Sequence, residues 1–142
     1  MGVVLDTSVL IAAERRRLDM PAFLESLGET SVAMAAITAA ELLYGVERAT
    51  GTRRKARRAA FVEALLEVVP AVPFGLTEAR HHATLWANLT KRGTVIGPHD
   101  LLVAATALAN DLAVATLNRR EFERVPGLEL VPIDTFQIPS ED

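Results

Sequence analysis

The chain has no cysteine among its 142 residues, so neither a disulfide nor a thiolate zinc site can brace it, and a reducing compartment, the cytoplasm, is the natural expectation. Aromatic residues are scarce, with one tryptophan and one tyrosine, too few for a repeated base-stacking platform; Tyr44 and Trp86 read as packing or interface residues. Lysine is confined to Lys55 and Lys91, both on inferred helices, which disfavours a phosphoacceptor signalling domain with its lysine beside the phosphate. No run approaches the roughly 20 apolar residues of a membrane span. The apolar start, 2–13, has no basic leader, contains Asp6 and is followed by Arg15, Arg16 and Arg17, the wrong order for a signal peptide. Asp6 also occupies the position where a myristoylation signal needs Ser or Thr. A net charge of −3 argues against non-specific coating of nucleic acid, yet the basic residues are mostly arginines in clusters, so local basic patches stay open.

What is present is apolar material for one core. Half the residues are hydrophobic, enough at this length for a single domain over 1–142, with 139–142 a frayed tail. A buried strand over 3–6 leads into a helix over 8–16. Asp19 caps a second helix over 20–27 that Gly28 stops. A strand over 31–36 is followed by Thr38-Ala39-Ala40-Glu41, which matches the capping box of a helix reaching Ala49. Helices follow over 53–69, 77–92 and 99–110, with a short edge-type segment over 71–74 marked by Pro70 and Pro73, and strands over 113–116 and 128–131 close the pattern. Strands alternating with helices specify an α/β domain: a central parallel sheet of four to five short strands with helices on both faces.

Four polar residues stand where strands give way to helices: Asp6, Glu41, Asp100 and Asn118. In a parallel sheet these junctions meet at the carboxyl edge, where open α/β folds place their ligands. Oxygen-only clusters of this kind bind Mg2+ or Mn2+, and the chemistry that follows is phosphodiester cleavage. Two of the acids have local readings as well: Glu41 as the third residue of a capping box, Asp100 as complement to its helix dipole. Asp6 is harder to explain locally, because a carboxylate directly after three apolar residues is costly to desolvate unless paired or metal-bound.

The histidines are weaker signals. His81 and His82 are adjacent on a helix and diverge by about 100°, so they cannot act as a pair on one substrate. His99 reads as a surface residue opening its helix, although it can reach the site beside Asp100. A zinc hydrolase and a Ser-His-Asp hydrolase built on Ser8 therefore have little support. Arg53, Arg54, Arg57 and Arg58 share much of one side of a helix start, offered to phosphates, to an acidic partner or to solvent alone. Arg119 and Arg120, with Arg124, flank Asn118 and are candidate phosphate contacts.

Four segments, Val4-Leu5-Asp6-Thr7-Ser8, Thr38-Ala39-Ala40-Glu41-Leu42, Gly97-Pro98-His99-Asp100-Leu101-Leu102-Val103-Ala104-Ala105 and Thr116-Leu117-Asn118-Arg119-Arg120-Glu121-Phe122, resemble the successive signatures of PIN-domain ribonucleases. Within that family the chain is similar to the VapC toxins of type II toxin–antitoxin pairs, from Val3 to about Val131. The resemblance implies a Mg2+-dependent ribonuclease, with Mn2+ as substitute, a homodimer, and a small VapB-like antitoxin whose tail enters the acidic groove, in a heterotetramer or larger complex. It departs at Asn118, where many members carry Asp, and at Glu121, where others have a second Asp, which leaves the number of ions open. On this reading Asp6 and Asp100 bind the ion and Glu41 orients or deprotonates the attacking water. Asn118 supports that water or a ligand, and Thr7, Ser8 and Thr116 supply hydroxyls around them. The rival is a catalytically inactive PIN-like domain that binds RNA or protein.

Overall fold

The computed structural model describes residues 2–139. In chain order its elements are β1 (Gly2–Leu5), α1 (Thr7–Glu14), α2 (Met20–Leu27), β2 (Val32–Ala35), α3 (Ala36–Glu47), α4 (Thr52–Val68), β3 (Ala71–Val72), α5 (Leu76–Lys91), α6 (Pro98–Ala109), β4 (Leu112–Ala115), α7 (Arg119–Phe122) and β5 (Leu130–Val131), with a 3-10 turn at Asp134–Phe136. Successive residues of β1 enter different cores. Val3 and Leu5 pack with Val9, Leu10, Phe23, Leu42 and Val62, whereas Val4 packs with Leu85, Leu89, Leu101 and Val103. Because side chains alternate along a strand, that division means helices cover both faces of the sheet. Hence β1 and β4 read as unbroken apolar runs. Fully buried side chains such as Leu5, Leu10, Phe23 and Phe122 contribute about 1.5–3 kcal/mol each.

All five strands are parallel, in the order β3-β2-β1-β4-β5. Val4 pairs with Ala33 on one side and Val114 on the other. The chain therefore builds outward from β1 in one direction and returns to its opposite side with β4, so β1 and β4 flank the switch point where such sheets bind ligands. The sheet and its two layers follow the sequence expectation. β3 and β5 are shorter than expected; β3 stops before Pro73, which has no N–H to continue the ladder. Gly28, at φ 61°, ends α2 where the sequence places its stop.

One local expectation fails. α3 begins at Ala36, directly out of β2, rather than behind a cap at Thr38. Thr38 is fully buried with no partner for its hydroxyl, and the Glu41 carboxylate bonds elsewhere, so the capping box exists in sequence only. Tyr44 and Trp86 are 64% and 60% exposed, which removes packing as their role. The expected fraying of 139–142 falls almost wholly outside the described residues. Among those described, no helix is long and apolar enough to cross a membrane.

Candidate active site

Asp6 follows β1 and occupies the N-cap position of α1, yet its side chain makes no capping bond. It is buried, and one oxygen, Oδ2, accepts from Ser8 Oγ and from Thr116 Oγ1, each at 2.8 Å. Both hydroxyls use the same oxygen, which keeps Oδ1 available. The same hydroxyls tie the neighbouring backbone: Leu117 N–H donates to Ser8 Oγ at 3.1 Å and Asn118 N–H to Thr116 Oγ1 at 2.9 Å. The Asp6 carboxylate is thus held by the turn that leaves β4, across the switch point.

Asp100 enters from the first turn of α6, which opens on Pro98. Asn118 Nδ2 donates to its Oδ2 at 3.3 Å. Burial, then the charges of Asp6, Glu121 and Glu41, push the Asp100 carboxyl up to about 6, against a weaker lowering by His99. The direction has a plain cause: its surroundings are acidic and half-dry. Glu41, from α3, is fixed at both ends, accepting from Thr7 Oγ1 on Oε1 at 2.8 Å and lying 3.0 Å from His99 Nδ1 on Oε2. Thr7 and His99 are the chain neighbours of Asp6 and Asp100, so the Glu41 contacts join the same two loops.

The structure therefore places Asp6, Ser8, Thr116, Asn118 and Asp100 in one hydrogen-bonded set, and Thr7, Glu41 and His99 in a second that adjoins it through the chain neighbours of Asp6 and Asp100. Arg119 and Arg120 stay outside both: Arg119 Nε faces Glu123 at 3.4 Å on α7, and Arg120 is exposed. Arg124 donates to the Val95 carbonyl. Two participants go beyond the sequence expectation. His99 is not merely a surface residue, because its Nδ1 reaches Glu41; its position beside Asp100 was the available signal. Glu121 carries a buried oxygen, Oε2, without a hydrogen-bond partner, and its charge is felt by Asp100. An orphaned carboxylate oxygen beside a repelled carboxyl is the environment that a hard cation relieves. No three His, Asp or Glu among the described residues are already drawn together tightly enough to cage an ion. Mg2+ needs no such cage, since it keeps several waters and takes one or two carboxylates.

Beside Glu41 lies a cleft of about 330 Å³ whose wall includes Thr7, His99, Tyr44, Arg15 and Arg48. An acidic edge and an arginine-bearing cleft thus adjoin at Glu41. Such an arrangement can hold a cation against carboxylates while admitting a polyanion from one side.

The family model for the PIN domain matches residues 3–128. A relative from Rickettsia felis named ribonuclease VapC1 is 33% identical over 135 residues, covering 95% of this chain and 98% of that protein. A tRNA(fMet)-specific endonuclease VapC from Salmonella typhimurium is 30% identical over 127 residues, covering 89% and 94%. Among solved structures, VapBC2 from Rickettsia felis bound to a promoter DNA fragment superposes with a TM-score of 0.84 at 28% identity, over 92% of this chain and 98% of that one.

Proposed function

Because the chain belongs to the PIN-domain family, among its VapC ribonucleases, we propose that it is a metal-dependent endoribonuclease acting in the cytoplasm as the toxin of a toxin–antitoxin pair. The observation that carries this reading is the gathering of carboxylates at the carboxyl edge of β1 and β4, where Ser8 and Thr116 hold Asp6, Asn118 bonds Asp100 and Thr7 holds Glu41. Carboxylates crowded at a ligand-binding edge cost stability unless a cation joins them. Asp6 and Asp100 would hold Mg2+, or Mn2+ in its place. When bound, the ion supplies Lewis acidity at the phosphate and a more acidic water.

The chain's own groups do the rest. Ser8 and Thr116 hold Asp6 by one oxygen and leave the other without a hydroxyl partner. Thr7 and His99 clamp Glu41, and each of its oxygens retains a lone pair for the attacking water, which Glu41 orients or deprotonates. The water oxygen bonds to phosphorus as the bond to the leaving ribose oxygen breaks; Glu41 receives the attacking water's proton, and solvent water protonates the departing ribose oxygen. A VapB-like antitoxin is the partner that the VapBC complexes among the structural relatives support. Exposed Phe74, Leu76, Trp86 and Val95 support a homodimer, and a monomer in light scattering across micromolar concentrations would remove that part of the reading. The test of the activity is sequencing of RNA ends after controlled expression: new ends at defined sequences are expected, and their absence would sink the proposal.

Asn118 distinguishes tuning from decay of the site. Its amide donates to Asp100 and so favours the charged carboxylate, but adds no negative charge of its own. Asn118→Ala should raise the Mg2+ concentration needed for half-maximal cleavage and Asn118→Asp should lower it, each several-fold, within the roughly tenfold to hundredfold that a supporting group is worth. Unchanged metal dependence in both variants would remove Asn118 from the site.

A further inference from the structure

We propose that single-stranded RNA reaches the site along an arginine-lined cleft formed by the end of α1, the end of α3 and the start of α4, an inference that rests on the ribonuclease reading above. The cleft has a volume of about 620 Å³, and Arg15, Arg16, Arg48, Arg54, Arg57 and Arg58 line it against one carboxylate, Glu14. Arg58 is engaged with that carboxylate at 3.4 Å. The other five have no acidic partner within ion-pair distance among the described residues. In a chain of net charge −3, this is positive charge that the protein leaves unneutralised on one surface.

Helix stability does not account for it. α4 begins at Thr52 with Gly51 as N-cap, no capping side chain and no acid in its first turn. Arg53, Arg54, Lys55, Arg57 and Arg58 therefore crowd the positive end of the helix dipole, where cations are unfavourable. A helix end that merely faced solvent would be better served by acids. A polyanion seated in the cleft reverses the sign of that cost.

Position identifies the polyanion. The arginine cleft shares Glu14, Arg15, Arg48 and Arg58 with the cleft beside Glu41, whose wall also carries Thr7 and His99. A strand approaching Asp6, Glu41, Asp100 and Glu121 meets like charge, and guanidinium groups on one flank offset that repulsion and give the strand a direction. Tyr44 stands at the junction, 64% exposed, with the Arg48 guanidinium 5.8 Å from its ring centroid. An exposed ring beside a basic groove is the surface on which unpaired bases stack. An acidic peptide would use the arginines, but not the ring face or the continuity with the carboxylates.

The experiment measures binding of a fluorescent single-stranded RNA to the full chain in EDTA, as a function of KCl, with cleavage kinetics in Mg2+ alongside. The double variant Arg54→Gln/Arg57→Gln should bind about tenfold more weakly, with a salt slope smaller by about 1.4, since each phosphate neutralised on a single strand contributes about 0.7. Its KM should rise with kcat nearly unchanged. Tyr44→Ala should lose about fivefold or more in affinity while Tyr44→Phe keeps it, because the ring face carries stacking. Arg80→Gln, on a pocket sharing no lining residue with either cleft, should behave as the parent. Unchanged RNA affinity and salt slope in Arg54→Gln/Arg57→Gln overturns the inference while RNA cleavage by the parent chain leaves the ribonuclease reading standing. Loss of polyglutamate binding with RNA binding intact also overturns it, assigning the cleft to a protein partner. RNA binding through the cleft without cleavage by the parent chain supports the channel and sinks the ribonuclease reading.

Discussion

Chelation with EDTA is expected to abolish RNA cleavage, and Mg2+ or Mn2+ in excess to restore it. The reason is the distribution of bases in the site. Water must lose a proton as it attacks phosphorus, and among the described residues the only histidine in contact with the candidate carboxylates, His99, is tied to Glu41 itself. One linked base cannot both take a proton and protonate a leaving group on the opposite side of the phosphate. The remaining groups, Asp6, Asp100 and Glu121, repel a phosphate unless a cation intervenes. Losing that cation should cost at least about a thousandfold, since Lewis acidity at the phosphoryl oxygen is worth several kcal/mol. Full activity in EDTA would shift the chemistry to the His99 and Glu41 pair and end the metal mechanism.

Asp100→Asn should remove cleavage by a similar factor and, in the metal-free protein, raise stability. The folded carboxyl lies at about 6 against 3.8 for an ordinary aspartate. The folded state therefore keeps its proton more tightly than the unfolded chain. Stability from this group is fully present below about 3.8, declines as pH rises, and is lost above about 6. At neutral pH the parent protein carries the whole penalty and the amide variant carries none. A two-unit displacement would correspond to about 3 kcal/mol. Because Asp100 is only half-buried, solvent screening reduces that to about 1 kcal/mol, or roughly 3–5 °C in Tm. The stability gain should vanish below pH 4. Metal affinity of the parent should weaken as pH falls through 6, because proton and cation compete for the same oxygens. A variant that is inactive and also destabilised at pH 7 would make Asp100 a structural residue instead. Asp6→Asn should be inactive too, but without the gain, since its Oδ2 already accepts two hydroxyls.

How much of this was legible in one dimension depends on the range of the interaction. The strands could be read because burial on both faces removes polar residues from them, a local consequence of a global arrangement; β1 and β4 are the clearest cases. The helices could be read from caps and stops that act within a few residues, as at Asp19 and Gly28. Asp6 announced itself because a carboxylate next to three apolar residues has no inexpensive local explanation. Thr38 and Glu41 misled for the converse reason: a pattern of four residues matches a capping box wherever it occurs, and only the run of β2 straight into α3 shows that the helix has already begun.

Composition and order by themselves determined the parallel α/β class, the sheet edge that gathers the acids and the absence of thiol chemistry, because these follow from alternation and residue type. Only the tertiary structure decided that His99 meets Glu41, that a Glu121 oxygen is orphaned, and that the arginines of α1, α3 and α4 face one cleft. Those facts depend on distances between segments remote in the chain. No local preference encodes such distances, and they exist only once the two cores have packed.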